Sequence, residues 1–331
     1  MAPTLSRPEV IALPKAELHL HLESAMRPAT ADELARRYGM RPPRSGPYDG
    51  LAGFVQDYET ARDLIGSLDD LSRVAAEVVA DAAGQGVVWT EVHCVPFNYG
   101  GRLGPPEAVI EAVLDGLGHD PSGTGGAGLI LAHNRATDHS LAERLLTLAI
   151  RYRDQGVVAL GLVGDEAPNP PGQYRDIFRA AKESGLLSVP HAGEAAGPDS
   201  VRGAFRELRA DRIGHGVRAV EDPALVAELA DSPVCLDVCP TSNAMLGACA
   251  GLEGHQLPAL VRAGVHVSLG SDGPLFFGVD VVDEYLNAQD VLGLGAAELL
   301  AIAADSLRAS AAPPALKQSS LALLSASLPT S

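Results

Sequence analysis

About eight short apolar runs, alternating along the chain with stretches of helical spacing, constrain this sequence more than any other feature. The runs fall at 16–22, 86–93, 128–133, 157–163, the segment Leu186, Leu187 and Val189 ahead of His191, 212–216, 234–239 and 265–270. Helical spacing lies between them at 71–83, 106–117, 141–152, 174–184, 200–208, 223–229 and 257–263, and closes the series at 296–307. Strand and helix alternating this many times predict an α/β fold, a closed (β/α)8 barrel of the TIM type. An open doubly wound sheet would carry a phosphate-binding glycine fingerprint after its first strand, and none is present. The glycines of 123–128 precede their strand and therefore mark a turn. Barrels of this kind occupy chains of such length as one unit, so a single domain over 1–331 is expected.

One interval breaks the regular spacing. Between the first and second strands, helical spacing at 31–38 and 51–68 flanks the Pro- and Arg-rich stretch 41–47. An insertion over about 27–70 at that point suits a helical lid over the barrel mouth.

Charge narrows the partners. Lys and Arg (25) against Asp and Glu (42) give a net charge of −17 with no basic patch, which disfavours nucleic acid and anionic membrane surfaces. Cys94, Cys235, Cys239 and Cys249 form no C-x-x-C pair, so reduced thiols are expected. The first residues lack an apolar signal core and no run approaches a membrane span. A cytoplasmic protein acting on a small molecule follows.

In a barrel, chemistry collects where strands run into their following loops. His19 and His21 alternate with leucines and so face one side of the first strand, where two imidazoles can converge on a cation. His191 and Glu194 follow the fifth strand, His215 ends the sixth, Asp165 and Glu166 follow the fourth, and Ser271 and Asp272 follow the eighth. Three histidines and a carboxylate suit a borderline cation such as Zn2+, leaving a carboxylate and a histidine for proton transfer and water orientation. His93, His119, His133, His139, His255 and His266 complete no such set and are read as structural or surface residues.

These residues stand in motifs that resemble the adenosine deaminase family of the metal-dependent amidohydrolase superfamily. The motifs are Pro14-Lys15-Ala16-Glu17-Leu18-His19-Leu20-His21-Leu22-Glu23, Gly164-Asp165-Glu166, His191-Ala192-Gly193-Glu194, Arg212-Ile213-Gly214-His215-Gly216, Cys239-Pro240-Thr241-Ser242-Asn243 and Ser271-Asp272. The resemblance implies that His19, His21, His191 and Asp272 hold zinc, and that Glu194, His215 and Asp272 are catalytic. It also implies that His21, Glu23, Gly164 and the residue at Gly273 meet the substrate, Gly164 through its backbone. The implied reaction is hydrolytic deamination of a 6-aminopurine nucleoside or close analogue, with release of ammonia. A deaminase or cyclic-amide hydrolase acting on another amino-heterocycle, and a non-catalytic zinc- and ligand-binding barrel, are the alternatives. His21-Leu22-Glu23 also spells the H-x-E of cytidine-type deaminases, but no P-C-x-x-C follows it.

Three positions depart from the family pattern. Gly273 stands where a second aspartate usually hydrogen-bonds the purine's imidazole nitrogen, Ser24 where glycine is usual, and His93 where arginine is common. The hydrolytic residues are intact and the recognition surface is altered.

Overall fold

The computed structural model describes residues 4–118 and 126–326. His119 and most of the Gly123 turn lie outside the described residues. The strands are β1 (Lys15–His21), β2 (Val87–Cys94), β3 (Ala127–Asn134), β4 (Val157–Val163), β5 (Leu187–Ala192), β6 (Arg212–His215), β7 (Cys235–Val238) and β8 (His266–Leu269). All pair in parallel with their sequence neighbours, in the order β1 to β8, which gives the expected TIM-type barrel. The seam between first and last strand is short and lies at the carboxyl rim. There His21 N–H donates to the Asp272 carbonyl and Asp272 N–H donates to the His19 carbonyl, both at 3.0 Å.

Burial explains both faces of the strands. Leu18, Leu20 and Leu22 point outward into the apolar layer beneath the helices, while Glu17, His19 and His21 alternate with them toward the barrel interior. That layer is divided between the β1 and β6–β8 side and the β2–β5 side. At the amino end of β6, the fully buried Arg212 donates to Glu91 Oε2 at 2.6 Å and Asp237 Oδ2 at 2.9 Å. The remaining carboxylate oxygens accept from Trp89 Nε1 (2.9 Å), Ala311 N–H (2.6 Å) and Ser268 Oγ (2.7 Å). A buried ion group is tolerated when its partners are satisfied in this way. His215, at the other end of the same strand, is left to the opposite rim.

Helices were missed where tertiary contacts, rather than a long apolar stripe, hold them. Arg7–Ala12, Pro240–Met245, Val281–Asp290 and Pro314–Ala326 are additional to the sequence reading. Pro240–Met245 is too short to be stable alone, but it carries Ser242 and Asn243 against the rim, where both are fully buried. In the segment between β1 and β2, the helix Gly50–Leu64 packs Phe54 on Phe276 and Phe277 at ring-centroid distances of 5.2 and 5.4 Å. Among the described residues, no helix is long and apolar enough to cross a membrane.

Candidate active site

The carboxyl ends of β1, β5, β6 and β8 bring the expected residues together. His21 Nε2 lies 3.1 Å from His191 Nε2, and His19 Nε2 and His21 Nε2 lie 3.7 and 3.5 Å from Asp272 Oδ1. Ligating atoms of His19, His21 and His191 all fall within 4.8 Å of one another, as do those of His19, His215, Cys239 and Asp272. The seam hydrogen bonds fix the Asp272 backbone against His19 and His21, and Ser242 Oγ donates to Asp272 Oδ2 at 2.5 Å. Asp272 and His215 both sit at left-handed φ, +59° and +65°. Non-glycine residues occupy that region at a cost of about 1–3 kcal/mol, and such strain concentrates at functional sites.

Several features fit a cation. Among the described residues, both ring nitrogens of His19 and Nδ1 of His191 are buried without a hydrogen-bond partner, a condition native structures rarely leave uncompensated. Burial, and after it the neighbouring imidazoles, hold His19 and His191 well below the ordinary 6.5; burial lowers His21 as well. Neutral imidazole is the form that binds metal. Gly214 makes the convergence possible, because a Cβ there would stand 2.8 Å from His19 Cε1 and 3.0 Å from His191 Nδ1.

Glu194 sits beside this cluster. Its Oε2 lies 3.5 Å from His215 Nε2, and its side chain is almost wholly buried. Burial first, then the charges of Asp272 and Glu166, push its carboxyl well above the usual 4.5. A carboxyl raised in this way holds its proton to higher pH than an exposed one and can serve as a donor. The turn that carries it is held by Glu166, whose oxygens accept from the N–H groups of Gly193 (2.8 Å), Glu194 (2.9 Å) and Ala195 (2.8 Å) and from Ser200 Oγ. Glu166 therefore positions the loop, while Asp165 is exposed.

A cavity of about 430 Å3 opens over the group, lined by His21, His191, Glu194, His215 and Asp272 and, just past the end of β4, by Gly164. Two expected substrate residues do not line it. Glu23 is fully buried and accepts from Tyr58 Oη at 2.8 Å and Tyr99 Oη at 2.7 Å, so it anchors Tyr58, which does line the cavity. Gly273 is likewise absent from the lining; instead Ser24 lines the wall, its hydroxyl donating to the carbonyls of His21 (3.0 Å) and Asp272 (3.2 Å). A Cβ on Gly273 would lie 2.8 Å from Ser24 Cβ and 3.0 Å from its Oγ. The departures at 24 and 273 are thus one exchange: the two positions share a space that admits one side chain.

Other residues border the group, among them His93, already marked as a departure from the family pattern, and Arg135, which sequence reasoning missed. His93 is buried against the cluster, its ring stacked on His21 at 4.9 Å and 23°. Burial keeps it far below 6.5, so it adds no positive charge beside the site. Arg135 is buried past the end of β3 and donates to the carbonyls of His191 and, at 3.1 Å, Asn169. Its place just after a strand was the available signal. Ser242 and Asn243 lie in a quoted motif, yet only the fold turns them toward Asp272 and His215.

The chain's similarities agree with this geometry. A protein of Streptomyces coelicolor, provisionally named an adenosine/adenine deaminase, is 39% identical over 330 residues, covering 95% of this chain and 96% of its own. An aminodeoxyfutalosine deaminase of Streptomyces avermitilis is 36% identical over 316 residues, covering 91% and 87%. The crystal structure of an adenine deaminase from Arthrobacter aurescens superimposes with a TM-score of 0.88 at 29% identity, over 95% of this chain and 99% of that one. The sequence model of the family described as adenosine deaminase matches residues 14–326. With nearly the whole chain matched and its rim histidines and carboxylates gathered at one cavity, this protein belongs to the adenosine deaminase family of metal-dependent amidohydrolases.

Proposed function

We propose that this protein is a zinc-dependent hydrolytic deaminase of a 6-aminopurine nucleoside or close analogue. The observation that carries this reading is the pairing of Glu194, a buried carboxyl whose pKa that burial raises, with His215 at 3.5 Å, both on a cavity that also meets His21, His191 and Asp272. His19, His21, His191 and Asp272 would hold the cation, and three imidazoles with one carboxylate match zinc's preferences. When bound, zinc acidifies water enough to make it nucleophilic at neutral pH. Glu194 gives its proton to the ring nitrogen beside the attacked carbon, relieving the electron density that attack would place there. His215 orients the attacking water through Nε2, and Asp272 Oδ1 takes up its proton. The water oxygen bonds to the ring carbon, the proton held by Asp272 passes to the amino nitrogen, the carbon–nitrogen bond breaks to release ammonia, and the adduct's hydroxyl proton returns to Glu194 as the ring carbonyl forms. Gly164 meets the purine through its backbone.

The cavity also bears on substrate charge. Arg62 lines it, but its guanidinium is already paired with Asp63 at 3.0 Å and Glu59 at 3.7 Å. A phosphate would have to displace those carboxylates, so a neutral base or nucleoside fits better than a nucleotide. The relatives named for adenosine, adenine and aminodeoxyfutalosine support an aminopurine. In the absence of an aspartate at 273, that wall presents Ser24, whose hydroxyl hydrogen is directed at the His21 and Asp272 carbonyls, leaving its oxygen to accept from the substrate.

Ammonia release by zinc-loaded protein tests the reading across adenosine, 2′-deoxyadenosine, adenine, adenine nucleosides with enlarged 5′ groups, AMP and non-purine amino-heterocycles. Neutral aminopurines are expected to lead, with AMP at least about tenfold poorer; silence with every aminopurine would sink the proposal. The same panel checks the shared space at 24 and 273. Gly273→Asp alone is expected to be impaired by its clash with Ser24, whereas the double variant Ser24→Gly/Gly273→Asp regains activity. By restoring a hydrogen bond worth about 1–3 kcal/mol, the double variant should raise preference for adenosine roughly tenfold to a hundredfold. Identical behaviour of single and double variants would show that the two positions do not share recognition.

A further inference from the structure

A line of hydrogen bonds runs behind His215 to a histidine the sequence reading left as structural. His215 Nδ1 lies 2.9 Å from Asn243 Nδ2, and Asn243 Oδ1 lies 3.2 Å from His255 Nε2. His255 Nδ1 lies 2.9 Å from the Leu257 N–H, the first residue of the helix Leu257–Arg262, where backbone N–H groups have no partner within the helix. All three side chains are buried.

Direction along this line is set from its far end. A backbone N–H only donates, so His255 Nδ1 must accept, which places the ring proton on Nε2. That Nε2–H donates to Asn243 Oδ1, which turns the Asn243 amide so that its NH2 faces His215. His215 Nδ1 must then accept, and its hydrogen sits on Nε2, the atom 3.5 Å from Glu194. Reversal at any step would set two donors or two acceptors face to face out of contact with water, the costly arrangement for buried polar groups. We infer that Asn243 and His255 are positioning residues that fix the tautomer of His215, so that Nε2–H is presented to the cavity in the resting protein. The tautomer assignment stands on hydrogen-bond direction; only the use made of that N–H rests on the deaminase reading.

The consequence is specific to the reaction. With Nδ1 committed to Asn243, His215 acts first as a donor toward oxygen in the cavity and not as a base, which leaves proton uptake to Asp272 and proton delivery to Glu194.

Two-bond 1H–15N correlation on the zinc-loaded full chain with 15N-labelled histidines reads the tautomer directly, the His215 signals being assigned by their loss in H215Q. The wild-type protein is expected to show His215 as Nε2–H; Nδ1–H there would overturn the inference whatever the activity. N243D supplies an acceptor to both neighbours, keeping the His255 contact while demanding hydrogen on His215 Nδ1. It is expected to convert His215 to Nδ1–H or to the doubly protonated ring, with zinc content and KM held and kcat lowered about 10²–10⁴-fold, as when the orienting partner of a catalytic histidine is reversed. An unchanged His215 spectrum in N243D would also overturn it. H255L should lower kcat and H255Q, which keeps a donor toward Asn243, should recover most of that loss; equal losses in both would refute His255's part. Silence of wild-type protein on every aminopurine together with an Nε2–H spectrum would instead fault the deaminase reading and leave the tautomer intact.

Discussion

Glu194→Gln is expected to abolish turnover, lowering kcat by at least about 10³-fold while zinc content stays at the wild-type level. The amide keeps the size and the neutrality that burial already imposes on the carboxyl, so neither packing nor the cation's surroundings should change. What it removes is a transferable proton, and general acid catalysis of this kind supplies about 10²–10⁴-fold. The pH profile gives a second check with a definite sign. Because the carboxyl's pKa is raised, the acid form persists above the usual carboxylate range, and kcat should fall as pH rises through the elevated value. Any residual activity of Glu194→Gln should lack that alkaline limb. Ammonia release near the wild-type rate would show that Glu194 is not the proton donor.

Gly214→Ala is expected to empty the metal centre by adding one methyl group. Its Cβ would press on His19 Cε1 at 2.8 Å, His191 Nδ1 at 3.0 Å and His19 Nδ1 at 3.1 Å. His19 has little room to retreat, since it is fully buried and its ring packs against those of His21, His93, His191 and His215 at centroid distances of 5.5, 5.3, 4.5 and 4.6 Å. Overpacking of this kind costs about 1–3 kcal/mol, a cost the fold can bear, but a shift of a few tenths of an ångström in two ligands spoils coordination geometry. Circular dichroism should therefore show folded protein, metal analysis should fall well below one equivalent, and activity should drop more than about 100-fold. Stoichiometric zinc with full activity would show that His19 and His191 do not meet over Gly214.

The strands were legible because each buries both faces, which leaves short apolar runs against a polar background, and the rim residues were legible because barrel geometry sends strand ends to one place. Helices anchored by single contacts were less so. Pro240–Met245 has no apolar period to announce it, and its polar residues acquire meaning from Asp272 and His215, which lie 30 and 28 positions away in sequence. Glu23 shows another limit: the resemblance implied a substrate contact, and only the fold turns its oxygens to two tyrosine hydroxyls from elsewhere in the chain.

Sequence alone determined the barrel, the order of its strands and the identity of the histidines and carboxylates at its rim, because period and strand-end position are local properties. Tertiary structure decided what each polar residue does there. Burial raises Glu194 and keeps the imidazoles neutral, the seam between β1 and β8 locks Asp272 to His19 and His21, and one shared volume makes Ser24 and Gly273 a single exchange. Desolvation, orphaned donors and close approach arise only between residues far apart in the chain, so no reading of spacing or periodicity could supply them.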